Sequence, residues 1–179
     1  ALYDAGFDTN ELYSQDYLGM TPNTYRKGGM NQTIFYGYAD TPLGRMLLAA
    51  TERGVCAIRF GEDEKLLPEL KKEFPKATLI ENGRTLETFV QTICKYLEGE
   101  HKLELPLDIS GTAFQYKVWK VLQTIPYGET RSYSQVAQAI GDPKAVRAVA
   151  TACASNPVAL VVPCHRVVRS NGELSGYRW

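Results

Sequence analysis

Hydrophobic positions change their spacing along the chain, and the changes mark its elements. Between residues 33 and 60 three short apolar runs follow one another at strand length. The first, Thr33-Ile34-Phe35-Tyr36-Gly37-Tyr38, is rich in aromatic and β-branched residues, as strands are. The turn Asp40-Thr41-Pro42-Leu43-Gly44 leads to the run Met46-Leu47-Leu48-Ala49-Ala50. Glu52-Arg53-Gly54 then leads to Val55-Cys56-Ala57-Ile58-Arg59-Phe60. Turns this short predict an antiparallel meander. From residue 64 to 74 the spacing becomes helical, with Leu66, Leu67, Leu70 and Phe74 on one face. Leu79-Ile80 reads as a short fourth strand. Leu86, Phe89, Val90, Ile93, Cys94 and Leu97 predict a second helix over 84–98, which Gly99 ends.

The second half reads as helical. Residues 103–106 make a connection, with Pro106 as a boundary. Thr112 can cap a helix over 113–125, in which Phe114, Val118, Trp119, Leu122 and Ile125 share a face. Pro126-Tyr127-Gly128 breaks it. Ser132 or Ser134 caps a short helix over 135–140, with Gly141 just past its end. Asp142 as N-cap and Pro143 in the first turn predict a further helix over 144–154. Two short helices separated by Gly-Asp-Pro read as a helix-turn-helix. The fold class is α+β: an N-terminal antiparallel meander packed with helices, then a mainly helical part. The expected division is 1–29, 30–105 and 106–179.

Composition changes this picture little. With 44% apolar and 22% charged residues among 179, the chain is ordinary globular material. No apolar run reaches the roughly 18 residues of a membrane span, and no signal peptide opens the chain, so cytoplasm is the expected compartment. The formal net charge is zero, so any nucleic-acid contact must come from a local patch. Such a patch exists in sequence. No acidic residue lies between Pro143 and Asn171, while Lys144, Arg147, Arg166 and Arg169 do, and Ala145, Ala148, Ala150, Ala152 and Ala154 keep the intervening helix slim. Cys56, Cys94, Cys153 and Cys164 sit in apolar segments and read as reduced thiols. Cys56 and Cys94 read as core, and His101 as surface.

Candidate chemistry centres on Asn156-Pro157-Val158-Ala159-Leu160-Val161-Val162-Pro163-Cys164-His165-Arg166-Val167. A thiol becomes a nucleophile when a base or a positive charge favours its thiolate. Pro163 fixes its own φ and pushes Val162 toward extended geometry. Neighbouring side chains on a regular strand point to opposite faces, so Cys164 and His165 can cooperate only across a bend or through water. The bland alternative is that Cys164 is one more inert buried thiol.

Pro163-Cys164-His165-Arg166-Val167, with Asn156-Pro157 at its distance upstream, resembles the active-site motif of the O6-alkylguanine-DNA alkyltransferases. The likeness runs from about Thr33 to Trp179 and is strongest to the C-terminal part of bacterial adaptive-response proteins. It implies a ribonuclease H-like first half and repair of O6-methylguanine, and of O4-methylthymine, in double-stranded DNA. The alkyl group would pass irreversibly to Cys164, once per molecule, from a flipped-out nucleotide. His165 would be the base, through a water. Tyr133 would help rotate the nucleotide, Arg147 would fill the gap it leaves, and Asn156 would brace the loop. Pro163, Arg166 and Val167 would belong to the substrate-binding set. Tyr177 and Arg178 would lie in the loop over the guanine, with backbone groups at Cys164, Val167 and Arg178 bonding the base.

The resemblance calls for no cofactor. Some family members carry zinc in the first half, but His101, His165 and the absence of any Cys-x-x-Cys pair supply no set of four ligands here. A family glutamate that orients the histidine sits on a helix beyond the active-site loop, and this chain stops at Trp179; reduced activity is expected if that helix is missing. At the other end, Ala5-Gly6-Phe7 and Gly19-Met20-Thr21-Pro22 with Tyr25-Arg26 resemble the close of an AraC-type DNA-binding domain, followed by a Lys27-Gly28-Gly29 hinge. The expectation is a monomer that forms part of a larger regulatory protein. Two competing readings stand: a binding module that grips alkylated DNA without chemistry, and a cysteine hydrolase, which the adjacent Cys-His pair disfavours.

Overall fold

The computed structural model describes residues 27–173. Three strands, β1 (Thr33–Thr41), β2 (Gly44–Thr51) and β3 (Gly54–Phe60), form the expected antiparallel meander. Thr41 pairs with Gly44 and Thr51 with Gly54, so both hairpins close through two residues. Helix α1 (Asp63–Glu73) then carries the chain back across the sheet. The short strand β4 (Thr78–Glu81) pairs with β1 and runs parallel to it, giving the order β3-β2-β1-β4. A parallel neighbour needs such a crossover. Helix α2 (Gly83–Leu97) follows, its N-cap Asn82 accepting from the Thr85 amide.

The continuous apolar runs of β2 and β3 are explained by burial on both faces. Leu47, Ala49, Cys56 and Ala57 pack with Leu66, Leu70 and Phe74 of α1 and its end. Met46, Leu48, Val55 and Ile58 face the other way, onto Leu86 and Ile93 of α2 and the core of the second half. Arg59, charged and only 1% exposed, is matched by Glu73 and Glu69 on α1.

The second half contains α3 (Ala113–Gln123), β5 (Arg131–Ser132), α4 (Tyr133–Ala139), α5 (Val146–Ala154), a three-residue 3-10 turn (Cys164–Arg166) and β6 (Val167–Val168). Thr112 and Ser132 both make capping boxes, with Gln115 and Gln135 returning the bond. Ser132 rather than Ser134 is therefore the cap of α4. The expected cap Asp142 is displaced: α5 starts at Val146 after Ala145. The reason is local. Asp142 accepts the Lys144 amide on its side chain and the Ala145 amide on its carbonyl, closing a turn that keeps Pro143 and Lys144 outside the helix. Trp119 Nε1 donates to the Ala152 carbonyl (2.9 Å) and Gln115 Nε2 to Ser155 Oγ (2.8 Å), locking α3 against α5.

The two halves join along the outer edge of β3. The Val55 amide donates to the Pro106 carbonyl (2.8 Å) and the Asp108 amide to the Val55 carbonyl (2.9 Å). Three residues further on, the Ile58 amide donates to Pro157 (2.9 Å) and the Ala159 amide to Ile58 (3.3 Å). The loop between α5 and the 3-10 turn is thus bonded to the sheet as an edge strand would be. The apolar stretch from residue 157 to 163 is buried throughout.

Candidate active site

Two tight turns shape the loop. The Val161 amide reaches back to the Ala159 carbonyl (2.9 Å) around Leu160, whose φ of 70° is left-handed. The Cys164 amide reaches back to the Val162 carbonyl (2.8 Å) around Pro163, at φ −81° and ψ 61°. Those angles are an inverse γ-turn, and the proline ring presets its φ. The chain then enters the 3-10 turn, closed by the Arg166 amide on the Pro163 carbonyl (3.0 Å). This is the bend that a regular strand lacks, so Cys164 and His165 are not forced onto opposite faces.

Asn156 holds the loop from inside. It is fully buried. Its Oδ1 accepts the Val158 amide (3.0 Å), and its Nδ2 donates to the Val162 carbonyl (2.8 Å) and to Cys164 Sγ (3.1 Å). These neighbours fix the amide orientation, so the group presented to sulfur is an N–H donor. A donor bonded to sulfur favours the thiolate. Cys164 itself is 6% exposed and lies at the edge of the common core. Its neighbour on α5, Cys153, is pushed up to about 12 by burial and then by Cys164, and so stays a thiol. None of the four cysteines is in a disulfide.

His165 is half-buried, and burial, aided by the Arg166 charge, pushes its imidazole down to about 4. It is therefore neutral near neutral pH and able to accept a proton. It faces a cleft of about 430 Å³ bounded by Leu43, Phe60, Tyr96, Leu97, Tyr127 and Leu160.

Arg166 points into the fold, not toward an outer face. Its NH1 donates to the Ile125 carbonyl and its NH2 to Tyr96 Oη, both at 2.6 Å, and its guanidinium lies 5.6 Å from the Tyr127 ring centre. Arg169 bonds Glu173 through its side chain and its amide. The positive patch read from the sequence thus loses these two members, leaving Lys144 and Arg147 exposed at the start of α5. Ala148, Thr151 and Ala154 form the rest of that exposed face. Tyr133 opens α4, half-buried against the core. Val167 is buried and pairs with Arg131, so β5 and β6 tie the start of α4 to the active-site loop. Ser134 and Ser170 hydrogen-bond alongside (3.1 Å). Tyr177 and Arg178 lie outside the described residues. Sequence reading missed Tyr96, which presents itself as one more core position on α2; nothing local in the sequence marks its hydroxyl.

Comparison with known proteins matches two family models to this chain. Residues 34–109 match the ribonuclease-like domain of 6-O-methylguanine DNA methyltransferase, and residues 113–179 match its DNA binding domain. The chain is 49% identical over 184 residues to the bifunctional transcriptional activator/DNA repair enzyme Ada of Escherichia coli, covering 100% of this chain and 52% of that protein. It thus spans about half the length of that relative, and likewise of the regulatory protein ada of Salmonella typhimurium. The inducible methylated-DNA–protein-cysteine methyltransferase of Bacillus subtilis is 44% identical over 136 residues, covering 73% of this chain and 75% of that one. Among solved structures, Mycobacterium tuberculosis OGT in complex with DNA superposes with a TM-score of 0.67 at 38% identity, covering 80% of this chain and 83% of that one.

Proposed function

Since the chain belongs to the 6-O-methylguanine DNA methyltransferase family, we propose that it repairs O6-alkylguanine in duplex DNA by moving the alkyl group onto its own Cys164. The observation that carries this reading is the Cys164–His165 turn: a buried sulfur that accepts an amide N–H at 3.1 Å, next to an imidazole that burial keeps neutral. In the reaction the sulfur forms a bond to the alkyl carbon as the carbon–O6 bond breaks. His165 takes the thiol proton, directly or through water, and a proton returns to the departing guanine. The product thioether is no leaving group for water, so each molecule reacts once. O4-methylthymine is a second substrate of the same chemistry. The step balances without a metal or cofactor.

A base buried in the stack must be flipped out to be reached. The exposed small-residue face of α5 suits close approach to a groove, with Arg147 entering the stack and Lys144 on a phosphate. Tyr133 helps turn the nucleotide. Asn156 and Pro163 set the loop, Val167 offers its backbone, and Tyr177 and Arg178 cover the base. Arg166 serves the site by anchoring it rather than by touching DNA. We assign 30–105 to a supporting half, 106–179 to the reacting half and 1–29 to the remnant of a preceding DNA-binding domain. The chain acts as a cytoplasmic monomer within a larger regulatory protein.

The test is an intact-mass spectrum after incubation with duplex DNA carrying one O6-methylguanine. The expected result is a gain of one methylene, mapped to the Cys164 peptide, that stops at one per protein. Cys164→Ala should bind the same DNA and gain nothing. DNA binding with no mass gain in the unsubstituted chain would leave a binding module instead.

A further inference from the structure

Arg166 lies two residues beyond Cys164 in a turn of three, so contacts that hold its side chain also restrain the short turn that carries the sulfur. Three separate parts of the molecule hold that side chain. Tyr96, buried on the last turn of α2, meets it from the first half of the chain. The Ile125 carbonyl, just beyond α3, meets it from the second. The Tyr127 ring lies against the guanidinium, packs edge-on to Tyr96 with centres 6.0 Å apart, and is backed by His101 at 4.5 Å.

We propose that Tyr96 is a positioning residue for alkyl transfer, clamping Arg166 so that the supporting half sets the orientation of the acceptor sulfur. The inference rests on the repair reading above. An in-line displacement needs the sulfur aligned with the breaking bond, and small angular errors at the attacking atom cost rate, not binding. A hydroxyl accepting from a guanidinium is among the stronger hydrogen bonds. Tyr96→Phe removes that acceptor and keeps the ring.

The experiment follows single-turnover methyl transfer from duplex O6-methylguanine DNA, the final number of methyls per protein, the DNA dissociation constant and the unfolding temperature. Tyr96→Phe should transfer about tenfold more slowly, the order of one charge-assisted hydrogen bond. Its endpoint should remain one methyl per protein, with DNA affinity unchanged. Ile93→Val, on α2 about one turn earlier and buried like Tyr96, is the stability control and should transfer at the unsubstituted rate. A merely structural Tyr96 would lower the unfolding temperature and the endpoint together and leave the rate per competent molecule intact, which overturns the clamp. Equal slowing by Ile93→Val also overturns it. Should Tyr96→Phe fail to fold, Arg166→Lys decides: it keeps the charge but cannot reach both acceptors, so a rate matching the unsubstituted chain overturns the proposal. If the unsubstituted chain transfers nothing, the repair reading falls and the clamp with it; transfer by that chain at the same rate as Tyr96→Phe removes the clamp alone.

Discussion

His165 carries an unusual sign for a histidine. Its folded value, about 4, lies below the ordinary 6.5, because burial and then Arg166 both disfavour the imidazolium. The unfolded chain therefore takes up this proton first on acidification, and the stability His165 contributes above 6.5 is lost as pH falls toward 4. On the proposed reaction, the transfer step should follow the same group. We expect the transfer rate to show no inflection near 6.5 and an acid limb close to 4, read from single-turnover rates over that range. An inflection at the ordinary histidine value would mean that the imidazole is solvated in the working state. At this scale the sequence displayed Cys164, His165 and Asn156 openly, since their types and spacing are unusual in an apolar run. It misplaced Arg166, because the direction of that side chain depends on a turn only three residues long and on partners 41 and 70 positions away.

Elements with strong local signals emerged from the sequence within a few residues of their observed ends: the three meander strands, α2 with its helical spacing, α3 behind Thr112. Two of the elements made by distant pairing did not. β5 and β6 are two residues each and exist only because Arg131 and Ser132 meet Val167 and Val168. The start of α5 was misread because Asp142 has two uses, as a cap and as a turn former, and the turn won. Gly54 shows how tightly one element presses on another. A Cβ there would lie 2.4 Å from the Pro106 carbonyl oxygen, and the glycine has φ +155°. Pro106 also accepts the Val55 amide, so its backbone cannot yield cheaply. Gly54→Ala should lower unfolding stability by about 3 kcal/mol, with an unchanged denaturant slope. A loss under about 0.5 kcal/mol, the range of an ordinary surface change, would show that the linker does not bear on this edge.

Across the whole molecule one core runs through both halves, from Met46 and Ile58 of the sheet to Trp119, Val149, Val158 and Cys164. Periodicity predicts which face of each element is buried, but not that the faces of separate halves meet. That depends on the β3 edge receiving residues 106–108 and 157–159, contacts some 50 to 100 positions apart. The presence of Cys164 in this core has a consequence for the molecule's fate in the cell. On the proposed reaction, a molecule that had reacted would carry an extra methyl group in close-packed interior, a small-to-large core replacement made by chemistry instead of mutation. Such overpacking costs about 1–3 kcal/mol, enough to raise the unfolded fraction several-fold and to expose the chain to proteases. The spent form should therefore melt below the fresh form in a calorimeter and be digested faster by a protease that cuts only unfolded chains. Equal melting would mean that the cleft beside His165 absorbs the methyl without strain. Where the strain is felt, a molecule that had reacted as proposed would be the first of its population to unfold.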